Sequence, residues 1–423
     1  MVREITLNHI CKIEGHASLD VKIEKNKVKS CELEAEEGAR FFEGLVLGKK
    51  VEDIQEVVSR ICGICSCAHG VVSIYALENA MGIKPTRREV IIRELLLAGE
   101  RIRSHSTHLY FLALPDYVGS PALTMAKNYK QEVDDALNLI KVGNKLVEKL
   151  GGREMHPFVK FHANVNDFSE MKSALHNVKP LAAKTVKLFA GLKYPKFDRS
   201  PSRMSLYEPN RYSYSSGEII SDCGKIKTTD YKKHLTENIK EYATSKFVLH
   251  EGHSYLTGSL VRLTNNVNKL DKETLVLIKK NKISLPLKSP FQNSIAQSIE
   301  LNSSINECIS LLEELEKNQD IPVKFDFSKM SGRGVAAVEA PRGTLFHEYE
   351  VKDGKVTYCN IITPTAQNLN QIELDIKDYV QLLVDKKTHK DEIVKEIEKL
   401  IRSYDPCFSC STHFLNVNWD EKE

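Results

Sequence analysis

The chain has 423 residues, 41% of them hydrophobic and 28% charged, with a formal net charge of +3. This is the composition of a soluble globular protein with a substantial core, in one large domain or a few smaller ones, and not of a disordered or fibrous chain. Lysines alternate with glutamates and form no basic stripe, so nucleic acid is not an expected partner. The longest apolar stretch, Val90–Gly99, is broken by Arg93 and Glu94 and is far shorter than the roughly 18 residues of a membrane helix. The N-terminal residues lack an apolar signal core, which makes the cytoplasm the expected location unless a partner carries the chain across a membrane.

Strands are expected first. Ile5, Leu7 and His9 alternate with polar neighbours, as do Ala17, Leu19, Val21 and Ile23, and Lys25-Asn-Lys27 reads as a hairpin tip. A helix is expected over Asp53–Val58 and another from near Cys62 toward Ala80, stopping at Gly82. Thr86, with Glu89 three residues on, forms a capping-box pattern that opens a long helix through Leu114, closed by Pro115. Further helices are expected over Ala126–Leu150, Ser169–Leu192, Asp230–Glu241, Asn293–Lys317 and, unbroken, Ile376–Ser403; Phe325–Lys355 reads as strand. The fold class is therefore mainly α with small β elements (α+β), a long-helix bundle with β pieces at its ends. The expected divisions are an N-terminal β region (1–50), a helical core (51–193), a peripheral mixed lobe (194–285) and a second helical core (286–413).

Two Cys-x-x-Cys pairs stand at opposite ends of the chain. The first is Arg60-Ile-Cys62-Gly-Ile-Cys65-Ser-Cys67-Ala-His69, and the second is Asp405-Pro-Cys407-Phe-Ser-Cys410-Ser-Thr-His413. Four thiolates in two pairs can hold one soft transition metal, so the fold must bring its ends together. Asp405-Pro406 reads as an N-cap followed by the first helical residue, which places Cys407 and Cys410 on one face of a first turn and lowers their thiol pKa values. His69, one turn after Cys65, can tune that sulfur by a hydrogen bond. The other six cysteines (Cys11, Cys31, Cys67, Cys223, Cys308 and Cys359) have no iron–sulfur spacing and read as small buried hydrophobes. Spacing alone leaves a zinc staple and a redox dithiol open beside a catalytic metal.

The surroundings of both pairs resemble the large subunit of nickel–iron hydrogenases. Further landmarks follow in order: Lys12-Ile-Glu14-Gly-His16, Arg40-Phe-Phe-Glu43, Ser104-His105-Ser-Thr-His108 with Asp116, Glu339-Ala-Pro341-Arg342-Gly343, and Ile362-Thr-Pro364-Thr365. The resemblance implies reversible cleavage of dihydrogen into protons and electrons. It implies nickel on Cys62, Cys65, Cys407 and Cys410, with Cys65 and Cys410 bridging to an iron that carries carbon monoxide and cyanide. Arg342 is expected above the open coordination position, held by Asp116 and Asp405. Pro341 and Thr365 are expected to bond the cyanides, Glu14 to take the first proton, and His105 and His108 to pack. Glu43, Ile362 and His413 are the expected ligands of a separate magnesium or iron ion. The family's mature chains end at the position of His413, so residues 414–423 read as an extension removed by a maturation endopeptidase after nickel-insertion chaperones have acted. Electrons require an iron–sulfur small subunit and, in the soluble class that the chain most resembles, further diaphorase-type or electron-transfer subunits. The alternatives are a four-cysteine zinc-stapled structural protein and a non-catalytic scaffold related to quinone-oxidoreductase subunits of respiratory complexes.

Overall fold

A computed structural model describes residues 2–36, 41–161, 168–318, 320–321 and 325–412. The chain opens with an antiparallel sheet of β1 (Val2–Leu7), β2 (Ala17–Glu24) and β3 (Lys27–Ala35). The alternation read from the sequence is real: Ala17, Leu19, Val21 and Ile23 are buried. Lys25 and Asn26 both take positive φ, the two-residue turn whose twist suits a hairpin. His9 lies beyond β1 and is exposed.

Helices follow: α1 (Phe42–Leu45), α2 (Val51–Val58), α3 (Ser66–Met81) and α4 (Arg87–Thr107). Thr86 and Glu89 cap α4 as a true capping box. Pro115 does not close that helix. A π-helical stretch, His108–Ala113, widens the turn before Pro115, which sits inside the first turn of α5 (Leu114–Val118); Gly119, left-handed, ends it. A proline near a helix start loses no required N–H bond. Next come α6 (Ala122–Asn128), α7 (Lys130–Gly151) and α8 (Ser169–Ala190); the break at Tyr129 divides what periodicity joined from Ala126.

Residues 194–285 hold β4 (Ser202–Tyr207), β5 (Glu218–Ser221), β6 (Gly224–Ile226), the one-turn α9 (Tyr231–His234), β7 (Leu235–Ile239), β8 (Lys246–His250), β9 (Tyr255–Leu256), α10 (Ser259–Asn266) and α11 (Lys272–Lys280). The helix expected over Asp230–Glu241 forms only its first turn, α9; from Leu235 the chain is strand β7, because cross-strand pairing with β8 overrides the local helical pattern. Then α12 (Asn293–Lys317) matches its expected bounds. The antiparallel strands β10 (Gly332–Ala340), β11 (Gly343–Lys352) and β12 (Lys355–Ile362) form the sheet expected near Phe325–Lys355. Gly334 lets β10 lie against α3, since a Cβ there would stand 2.2 Å from the Ala76 carbonyl. The last expected helix is two, α13 (Pro364–Asp385) and α14 (Lys390–Ser403), separated where Lys387 is left-handed; a single turn, α15 (Phe408–Ser411), follows.

The main core joins α3, α4, α7, α8 and α12 with the β10–β12 sheet, and a second core seats β1–β3 on α13 and α14. Cys407 and Cys410 belong to the first core beside Cys62 and Cys65, so the two ends of the chain meet inside one apolar mass. Among the described residues no helix is long and apolar enough to cross a membrane.

Candidate metal centre

The first cysteine loop hangs on α4. Cys62 follows a 3-10 turn, Ser59–Ile61, and Cys65 occupies the cap position of α3. The free N–H groups at the start of α3 would be costly if buried unpaired. Glu100 of α4 satisfies them, accepting from Cys67 N at 2.6 Å and Ala68 N at 3.1 Å. Arg103, one turn on, donates to the Ile64 carbonyl at 3.1 Å and to Ser66 Oγ at 3.3 Å. Gly63 packs closely under Met155, whose methyl would stand 2.7 Å from an added Cβ and would have to move aside.

The second loop is held by the N-terminal region and by α13. Residue 14 bridges residue 407 in parallel, with Phe408 N donating to the Glu14 carbonyl at 3.0 Å. Cys407 N donates to Thr365 Oγ1 at 2.9 Å, so Thr365 secures the loop from the first turn of α13. Asp405 is not an N-cap. It is left-handed, at φ 51, and the short helix starts only after Cys407, so the helix-terminus argument for lowered thiol pKa values does not apply. The Asp405 carboxylate instead accepts from Arg342 Nη2 at 2.8 Å and Gln297 Nε2 at 3.0 Å, and its carbonyl accepts from Arg342 Nε at 2.7 Å.

These mounts bring four buried, disulfide-free sulfurs together, all within 4.8 Å of one another. Cys62 and Cys407 are 3.5 Å apart, Cys65 and Cys410 3.1 Å, and Cys407 and Cys410 3.0 Å. A metal at about 2.3 Å from each sulfur needs separations of this order. The set cannot ionise fully by itself. Hydrogen bonding from Cys407 draws the Cys62 thiol well below its ordinary range, whereas burial drives Cys407 and Cys410 well above theirs. A cation among them removes that penalty, which is the behaviour of a metal-binding thiol set.

Two charged side chains reach this centre. Glu14 Oε2 accepts from Cys407 Sγ at 2.8 Å, and Ser409 Oγ donates to Oε1 at 2.6 Å. Burial and the neighbouring Cys62 raise the Glu14 carboxyl above its ordinary value. Arg342 is 6% exposed and locked by Asp405, yet its Nη1 has no hydrogen-bond partner among the described residues. Such a buried, unpaired donor beside four sulfurs fits an absent anionic or metal-bound partner. Nearby sulfurs and Asp405 hold Arg342 firmly protonated despite its burial.

Asp116 does not brace Arg342. Carried past it by the π turn, Asp116 pairs with Arg402 at 2.6 Å and with Lys12 at 2.5 Å. His69 Nε2 lies 3.9 Å from the sulfur of Cys410, the second pair's cysteine, and His69 Nδ1 lies 3.1 Å from His347 Nε2. The Pro341 carbonyl accepts from Arg262 Nη2 at 2.9 Å. Glu43 accepts from Ile361 N at 2.8 Å, beside Ile362, and pairs with Lys246 at 3.1 Å. His413 and the extension lie outside the described residues.

A family model described as nickel-dependent hydrogenase matches residues 40–177 and 192–413. The chain belongs to the nickel-dependent hydrogenase family. It is 34% identical to sulfhydrogenase 1 subunit alpha of Pyrococcus furiosus, over 98% of each chain. Its identity to sulfhydrogenase 2 subunit alpha of the same organism is 31%, over 98% of this chain and 100% of that one. Its fold matches a solved structure of an NAD+-reducing [NiFe]-hydrogenase in the H2-reduced state with a TM-score of 0.87, at 21% identity, covering 97% of this chain and 99% of that one. These likenesses favour the hydrogenase reading over the zinc staple and the scaffold, and the soft sulfur set fits nickel.

Several holders of this hydrogenase centre were not legible in the sequence. Besides Glu100 and Arg103, they include Gln297, whose Oε1 lies 2.5 Å from His108 Nδ1, and Arg262. Arg262, fully buried, donates to the Ala340 and Pro341 carbonyls and pairs with Glu300 and Glu339, which fixes the loop that carries Arg342. These residues sit on helices that bury many polar residues, so nothing local in the sequence sets them apart or names their partners.

Proposed function

We propose that the chain is the catalytic subunit of a nickel–iron hydrogenase, which converts dihydrogen reversibly into protons and electrons. The observation that carries this reading is the convergence of four cysteine sulfurs within 4.8 Å, flanked by Glu14 and Arg342. Cys62, Cys65, Cys407 and Cys410 would hold the nickel, and Cys65 and Cys410 would also hold an iron with carbon monoxide and cyanide ligands. When bound, this group supplies the open position at which dihydrogen is split and from which electrons leave.

The chain's own residues manage charge and protons. Asp405 fixes the Nε–Nη2 edge of the Arg342 guanidinium, which leaves Nη1 free to act as an electrostatic donor. Glu14 takes a proton from the Cys407 sulfur over 2.8 Å, with Ser409 orienting its carboxylate. Burial raises its affinity for a proton, which suits a carboxylate that relays one. Glu14 is half-buried, so the proton passes from an enclosed sulfur to a residue with access to solvent. Thr365 and the Pro341 backbone would bond the cyanides, and Glu43, Ile362 and His413 would hold a magnesium or iron ion.

Electrons pass to an iron–sulfur small subunit and on to diaphorase-type or other electron-transfer subunits in the cytoplasm. The sulfhydrogenase and NAD+-reducing relatives support sulfur or a nicotinamide nucleotide as the final acceptor. An endopeptidase removes residues 414–423 after nickel-insertion chaperones have loaded the site. Metal analysis and infrared spectroscopy of the purified complex test the whole reading. Nickel with iron, and bands from bound diatomics, are expected; zinc as the sole metal overturns it. Intact mass of the loaded chain tests processing, which full retention of the tail refutes.

A further inference from the structure

A second cluster of metal-ligating side chains lies at the open end of the β7–β8 hairpin, where the end of α9 meets the turn after β8. Ligand atoms of His234, His250 and Glu251 all lie within 4.8 Å of one another. The backbone fixes this placement. Leu235 pairs with His250 across the hairpin, and Glu251 N donates to the His234 carbonyl at 2.9 Å. His250 and His253 then close a tight turn, each N–H donating to the other's carbonyl at 2.9 Å. Residues paired directly across antiparallel backbone project to the same face. The turn residues Glu251 and Gly252 have φ of 50° and 76°, a conformation that asparagine or glycine adopts far more readily than glutamate.

The side chains suit a cation. His234 and His250 rings are 6.4 Å apart, and Glu251 Oε1 lies 2.6 Å from His234 Nδ1. His250 is only 2% exposed, yet its Nε2 has no hydrogen-bond partner among the described residues. Leaving a buried polar group unpaired is unfavourable, so its retention calls for an explanation.

We propose that His234, His250 and Glu251 form a second divalent-metal site, of the two-histidine, one-carboxylate kind, for zinc, nickel(II) or copper(II). Nitrogen and carboxylate donors select borderline ions, in contrast to the all-sulfur centre. A bound ion pins the end of α9 to the turn after β8, and the remaining coordination positions go to water.

The test uses the purified full-length chain with whatever subunits accompany it. It is compared with the double variant His234→Gln/Glu251→Gln and, separately, with His250→Asn. Neither His234 nor Glu251 is buried, so the double variant folds; equal Tm in chelator confirms this. Zinc titration is expected to show one more equivalent bound by the wild type, a zinc-dependent rise in Tm that the variants lack, and affinity at this site weakened at least tenfold (roughly) in each variant. Cobalt(II) gives an independent signature. The extra equivalent is expected to add weak visible bands without the near-ultraviolet sulfur charge-transfer bands of a cysteine site. Equal zinc stoichiometry and equal Tm shifts in wild type and double variant overturn the site, reducing it to a surface ion pair. So does an extra cobalt equivalent with sulfur bands.

Discussion

The loop of Cys62 and Cys65 and the loop of Cys407 and Cys410 share one spacing but are mounted in opposite ways. The first is gripped from behind by Glu100 and Arg103 of a single long helix, which bind its backbone and the start of α3. The second is stitched in by the N-terminal region through Glu14 and by α13 through Thr365, and Asp405 ties it to Arg342. The grips on the first loop hold backbone N–H and carbonyl groups and the Ser66 hydroxyl, not a sulfur. The neighbours of the second include a proton-accepting carboxylate on Cys407 and a guanidinium with a free edge. Identical ligand spacing thus serves a rigid anchor in one place and a chemically active arm in the other.

Four experiments would break or sharpen that contrast. The largest effect is expected for Cys410→Ala, which removes the sulfur that stands 3.1 Å from Cys65 and 3.0 Å from Cys407. Nickel retention, read by elemental analysis, should be lost and hydrogen-dependent dye reduction should disappear. Next comes Glu14→Gln, which keeps the hydrogen-bonding shape but cannot carry the proton. Turnover should fall by about 10²–10⁴-fold while nickel content stays unchanged; wild-type turnover in this variant would remove Glu14 from the relay. Arg342→Lys keeps a charge but loses the fork on Asp405, and about a hundredfold loss of turnover with nickel retained is expected.

The smallest effect on activity is expected at the first loop. Burial raises Glu100 to about 7, from an ordinary value of 4.5. The folded state therefore binds this proton more tightly than the unfolded chain does. The resulting stabilisation is complete below about pH 4.5 and is lost as pH rises toward 7, an effect of up to about 3 kcal/mol. Glu100→Gln stays neutral throughout. Its Tm relative to wild type should improve between pH 5 and pH 8, with nickel content and turnover held. A variant Tm that tracks wild type across that range would show that Glu100 is not the group responsible.

How far the sequence could be read depended on the range of each interaction. The β1–β3 alternation, the Thr86 capping box and the bounds of α12 were legible because each is encoded within a few residues. The break between α13 and α14 carries no proline or glycine, and β7 looks helical until β8 pairs with it. At the centre, spacing named the four cysteines, and the resemblance supplied Glu14 and Arg342. It misassigned Asp116, because the π turn before Pro115 sends that carboxylate to Arg402 and Lys12. Gln297 and Arg262 gave no local sign of their tasks, since their partners lie on other elements.

The sequence by itself determined which donors this protein owns: four soft sulfurs in two pairs that can serve one metal only if the ends of the chain meet. Tertiary structure alone decided which acid touches which sulfur, which aspartate fixes the arginine, and where two histidines and a glutamate gather on a hairpin. Ligand type and short spacing are covalent properties of the chain, whereas side-chain partnership arises when elements distant in sequence pack into one core and buried polar groups must find each other.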